Sequence, residues 1–175
     1  MGTRVESQKL TFVSVVFEAE LPLLRIQARS AAIYLPAELV EAIIVIDNTA
    51  RGISAKYRQD LRSDYGPLAS FLQILRPSDI CLVASTTGWR SQQILKLMIA
   101  DRITSKRYVT LDAKNHFVNP VELGFFEAAD GRARVSVYGY ETHPLRPNLE
   151  RVLTYVGLDP NEYVGRFTAT VTPFV

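Results

Sequence analysis

Four apolar runs are spaced along the chain: "LTFVSVVF" (Leu10 to Phe17), "AIIVID" (Ala42 to Asp47), "SFLQILRP" (Ser70 to Pro77) and "RYVTLD" (Arg107 to Asp112). The first two are nearly continuous rather than alternating, the pattern of strands covered on both faces, which points to a parallel sheet. Between the runs, apolar residues recur at helical spacing over Leu21 to Leu35, where Pro22 suits a first turn, over Ile53 to Arg62 and over Trp89 to Ile103. Strand and helix therefore alternate. With right-handed crossovers they wind into a Rossmann-like α/β fold, a mostly parallel central sheet with helices on both faces.

Beyond Asp112 the pattern changes. "FFEAADGRARVSVYGY" (Phe125 to Tyr140) holds the turn pair Asp130-Gly131 between strand-prone arms and predicts a β-hairpin near residues 125–140. Leu149, Val152, Leu153 and Val156 then recur as in a helix that Gly157 can end. The final "RFTATVTPFV" reads as a strand, and as a sheet edge through which two copies could pair.

Open α/β sheets bind ligands beyond the carboxyl ends of their strands. Polar groups collect there: Glu18 and Glu20 after the first strand, Asp47 and Asn48 after the second, Asp79 after the third, and Asp112, Lys114 and Asn115 after the fourth. Acids often follow strands as turn formers and helix caps, and that reading is preferred for Glu20 and Asp79. Asp47 and Asp112 each end a wholly apolar strand and are assigned to the ligand edge. On the helix "GWRSQQILKL", Trp89, Gln93, Lys96 and Ala100 share one side. Gln93 and Lys96 are candidate contacts, whereas Gln92 reads as a solvated edge.

Composition narrows the partners. The chain has 175 residues, 47% of them hydrophobic, enough for one domain with a sizeable core. Its formal charge of +2 is spread without a basic stripe, so nucleic acid is not expected as a partner. Cys81 is the single cysteine, Met1 to Lys9 is polar, and no run spans a bilayer, which together predict a cytoplasmic protein without a membrane span. Glycine-rich dinucleotide, phosphate-loop and serine-elbow motifs are absent. His116 and His143 are too few and too isolated to suggest zinc and read as structural or surface residues.

The order of "IDN", "GWRSQQILKL" and "YVTLDAKNHF" resembles the nucleotide-sugar-binding half of bacterial GT-A-type glycosyltransferase-like proteins, a group that includes members of unassigned function. The resemblance implies that Asp47 contacts a nucleoside, and that Glu18, Asn48, Gln93, Lys96 and Asn115 line the site of a nucleotide-diphosphate sugar. Such families hold Mn or Mg with an Asp-x-Asp motif. Here that motif is Asp112-Ala113-Lys114. Asp112 remains as one potential metal ligand, and the ammonium group of Lys114 replaces the second acid, so metal independence is expected. Asp112 and Lys114 point the same way in an extended segment and could instead pair with each other. The resemblance also implies an acceptor region beyond the nucleotide half, leaving this chain without an assigned catalytic base; Glu141 and His143 are the weakest of candidates. The alternative expectation is a non-catalytic nucleotide- or sugar-binding module of the same descent.

Overall fold

Four short strands, all parallel, form the centre of the molecule in the order β3-β2-β1-β4. The computed structural model describes residues 9–81, 89–134 and 139–166. In chain order the elements are β1 (Leu10–Val16), α1 (Leu21–Tyr34), β2 (Val40–Asp47), α2 (Ala55–Tyr65), β3 (Leu72–Leu75), the single turn α3 (Pro77–Ile80), α4 (Trp89–Met98), β4 (Tyr108–Asp112), α5 (Leu123–Phe126), α6 (Arg146–Tyr155) and α7 (Pro160–Tyr163). Short 3-10 turns occupy several of the joints, including Glu18–Glu20 and Ile99–Arg102.

The pleat divides the core in two. Phe12 and Val16 of β1, with Ile43 and Val45 of β2, pack against Leu24, Ala28 and Ala31 of α1 and Leu61 and Tyr65 of α2. Val13 and Val15, with Ala42, Ile44 and Ile46, pack on the opposite face against Leu95 of α4 and Ile99 just beyond it. Strands sandwiched this way need apolar residues at nearly every position, which is why β1 is buried throughout. The order explains the layering: β1, β2 and β3 step one way across the sheet with α1 and α2 on one face. Reaching β4, on the far side of β1, brings α4 onto the other.

Local chemistry sets the helix ends. Pro22 sits in the first turn of α1, and Leu35, extended before Pro36, ends it. Ser54 caps α2 by accepting a hydrogen bond from Tyr57 N at 3.2 Å, and Gly66, at φ +51, closes it in a conformation other residues rarely adopt.

Among the described residues the expected hairpin is represented by its turn at Asp130-Gly131, with Gly131 at φ +79, by the antiparallel bridge from Glu127 to Ala133 and by Arg134 N donating to Phe126 O at 2.8 Å. Phe125 and Phe126 belong to α5 instead of an extended arm. The reason is Phe126, only 1% exposed, whose ring meets Phe12 at 5.7 Å between centroids. Burying such a ring is worth roughly 1.5–3 kcal/mol. Residues 135–138 and the terminal strand expected within "RFTATVTPFV", from residue 167 on, lie outside the described residues. The C-terminal helix appears as α6, where Leu149 and Leu153 pack with Tyr140 and Val164 in a small separate cluster. Among the described residues no helix is long and apolar enough to cross a membrane.

Candidate functional site

Between the carboxyl ends of β1 and β4 lies the point where the strand order reverses, the place where doubly wound sheets leave a crevice. Helix α4 borders it and is fastened to three strand ends. Gln92 Nε2 donates to Glu20 Oε2 at 3.2 Å, an oxygen that also accepts from Phe17 N beyond β1. Asn48, after β2, donates to Ser91 Oγ at 3.1 Å. Lys96 Nζ donates to Asp112 Oδ1, at the end of β4, at 2.6 Å.

Asp112 is thus held by two cations. Its second oxygen, Oδ2, lies 3.7 Å from Lys114 Nζ. The two lysines differ in setting: the Lys96 side chain is 14% exposed and that of Lys114 65%. Two ammonium groups around one carboxylate leave a local excess of one positive charge beside the crevice. Lys96 is fixed by its short bond, whereas Lys114, at longer range and in solvent, can turn toward an incoming anion at little cost.

The turn after β4 is rigid for a reason the sequence concealed. Gln27, 2% exposed in α1, accepts from Ser14 Oγ at 2.8 Å and donates to the carbonyls of both Asp112 and Asn115, each at 2.8 Å. Asn115 closes the turn by accepting from Asp112 N at 2.8 Å through its side chain. One buried amide therefore ties β1, α1 and the site loop together. Gln27→Leu keeps the bulk but strands a hydroxyl and two carbonyls, and should cost about 1–3 kcal/mol. Urea unfolding should then show a lower midpoint at unchanged slope, and an unshifted midpoint would remove this role.

Asp47 is not part of the crevice. Ile46 packs on the α4 side, so the next residue projects to the opposite face, where Asp47 is 0% exposed. Its Oδ1 accepts from Thr49 N at 3.1 Å and Thr49 Oγ1 at 2.6 Å, and its Oδ2 from Ile53 N at 2.7 Å. Arg76 Nη1 lies 3.0 Å from Oδ2, a charge contact rather than an aligned hydrogen bond, and Arg58 approaches to 3.9 Å. Burial works against the charge, but the bonds from Thr49 and Ile53 and the Arg76 guanidinium outweigh it and hold the carboxyl below its usual range. The side chain expected to contact a nucleoside is thus engaged within the protein: Asp47 organises the loop from β2 into α2, and the pleat is why it does not face α4.

The other expected residues are placed as follows. Glu18 is exposed and accepts from Ala50 N, bridging the turns after β1 and β2. Gln93 is half-buried without a hydrogen-bond partner among the described residues, while Gln92, expected at a solvated edge, is 9% exposed and bonded to Glu20. Asp79 caps α3 by accepting from Arg76 N at 2.6 Å. His116 is exposed, and His143 Nδ1 accepts from Leu145 N at 3.1 Å. Sequence reasoning missed Ser91 and Gln27. Ser91 and Gln92 could have been found from Leu95 and Ile99, the buried positions that fix which side of α4 faces the sheet.

Both oxygens of Asp112 face ammonium groups, and among the described residues no three His, Cys, Asp or Glu side chains converge.

No curated protein matches the sequence. Residues 63–175 match the model of DUF6492, described as a family of unknown function, and the match takes in β3, α4, β4 and both site lysines. Because it extends over more than half of the chain, the protein belongs to this family.

Proposed function

We propose that the protein is a glycosyltransferase-like domain that binds a nucleotide-diphosphate sugar in the crevice between β1 and β4 and transfers the sugar to an acceptor. The observation that carries the reading is the pair of ammonium groups, Lys96 and Lys114, at the switch point of a parallel sheet. In such a transfer the bond from the sugar's anomeric carbon to the diphosphate breaks, and its electron pair leaves with the diphosphate. The acceptor oxygen bonds to that carbon and gives its proton to solvent. Negative charge builds on the leaving diphosphate, and positive charge held beside it stabilises it. In this reading Lys96 and Lys114 carry the diphosphate, and the groups on the α4 side, Asn48 and Gln92, stand nearest the rest of the donor.

Titration calorimetry with UDP, GDP, CDP and ADP tests the first half of the proposal. At least one nucleotide should bind at micromolar to millimolar concentration. Silence from all of them at millimolar concentration would end the nucleotide reading.

One observation favours a second reading, a binding module without turnover. Glu20 and Asp112, the carboxylates bordering the crevice, are each already hydrogen-bonded to α4, so neither stands free as a base. Nucleotide binding without release of diphosphate from any sugar nucleotide would select it. With either reading goes a cytoplasmic setting, consistent with the free thiol of Cys81, and a homodimer through a sheet edge, which light scattering showing only monomer would exclude.

A further inference from the structure

On the other side of β4 from α4 the loop from Asn115 to Val121 encloses a cavity of about 400 Å³. Phe117, Phe125 and Phe126 line it with Leu111, Val118 and Val121. That volume suits a small organic ligand. Two of the apolar residues are unusually bare for their size: Val118 is 70% exposed and Phe125 64%. The loop itself is pinned, with Phe117 N donating to Ser30 Oγ at 3.1 Å and Val121 N to Tyr34 O at 3.0 Å, so the cavity has fixed walls.

We propose that this cavity binds the aromatic ring of a small hydroxylated ligand, an aryl alcohol. The phenylalanines supply the preference for a ring. Phe125 and Phe126 meet nearly at right angles, 5.1 Å apart at 86°, and Phe117 stands edge-on to Phe12 at 83°. Phe126 and Phe12 are buried and hold the other two rings in place, which leaves Phe117 and Phe125 to meet a ligand; ring edges are positive and ring faces negative, so an aromatic ring gains edge-to-face contact with them where an alkyl chain gains only from burial. Polar groups are few and sit at the mouth. His116 and Asn119 can hydrogen-bond a hydroxyl there, and Asn115 joins the cavity to the turn that carries Asp112. Leu111 faces the cavity while Asp112, next in the strand, faces the crevice. The polar mouth thus lies beside the end of β4 but on the face opposite the crevice, so this is a site separate from that of the proposed donor. Binding there does not rest on the nucleotide reading.

The test is a titration of the ¹⁵N-labelled full chain with naphthalen-2-ol, octan-1-ol and, separately, UDP. Naphthalen-2-ol should move the amide signals of residues 111 to 126, bind more tightly than octan-1-ol, and bind about fivefold or more weakly to Val118→Asp, where a charge must be desolvated at the rim. Phe125→Ala, at another exposed position, should weaken it in the same direction and replaces Val118→Asp if that variant misfolds. Unmoved signals at saturation would overturn the inference. So would tighter binding of the alkyl alcohol, full affinity in a folded variant, or shifts that grow with protein concentration without any probe, since a second copy would then be the occupant. UDP binding without naphthalen-2-ol binding removes the cavity proposal alone, and the reverse removes the nucleotide reading alone.

Discussion

Asp47→Ala should destabilise the fold by about 2–4 kcal/mol, the cost of leaving buried donors that share one carboxylate without their acceptor. The carboxylate accepts from Thr49 and Ile53 and faces Arg76. Its loss leaves Ile53 N and the Thr49 hydroxyl without their acceptor and the Arg76 guanidinium without its counter-charge. For a chain of this length the melting temperature should fall by about 10 °C. A pH series supplies a second readout. The folded-state pKa of Asp47 is lowered, so its contribution is fully present above the unfolded-state value near ~3.9 and is lost as pH falls through the lower folded-state value. Wild type should therefore lose stability over that acid range more steeply than Asp47→Asn, which carries no titrating group. Parallel acid limbs and a melting temperature within a degree or so of wild type would show that the loop holds without this carboxylate.

Lys96→Ala should weaken nucleotide binding by about tenfold to a hundredfold, the range for loss of one charge-assisted hydrogen bond in a sheltered position. Lys114→Ala should weaken it by about threefold, because an exposed ammonium group contributes little. The contrast follows from the 14% and 65% exposure of the two side chains. Structural collapse is not expected to confuse the result, since Asp112 is one-third exposed and keeps Lys114 when Lys96 is gone. EDTA should leave wild-type affinity unchanged. Lys114→Asp should make binding respond to manganese, because it places a second carboxylate where an Asp-x-Asp motif has one. A wild type that loses affinity in EDTA, together with alanine variants that bind as well as it does, would mean that a metal held by other groups meets the diphosphate.

The parallel layers could be read from the sequence because a strand covered on both faces must be apolar almost everywhere; β1 is buried throughout, and β2 is apolar and buried from Ala42 to Ile46. What the runs did not disclose is facing. Asp47 and Asp112 both end apolar strands, yet Asp47 turns to the α1 and α2 side and Asp112 to α4, a difference of pleat phase that shows only once the strands are in register. Helical spacing singled out Lys96 but chose Gln93 over Gln92. One helical step of about 100° separates the two, and the buried Leu95 and Ile99 decide between them. Gln27 gave no sign because its partners, Asp112 and Asn115, are more than eighty residues away. Phe125 and Phe126 read as strand-prone, but the space beside Phe12 rewards a helical turn that buries one of them.

The position of β1 has a consequence for synthesis. Its neighbour on one side, β2, follows within a few dozen residues, whereas the strand on the other side pairs Thr11 with Tyr108. At roughly 5–20 residues per second, the most buried strand of the sheet leaves the ribosome many seconds before its second neighbour exists. Through that interval one edge of "LTFVSVV" is bare, an apolar and almost uncharged template on which another nascent chain could pair. Yield in a cell thus depends on how quickly the stretch from α2 to β4 follows, and slow codons there would harm it more than slow codons after Asp112.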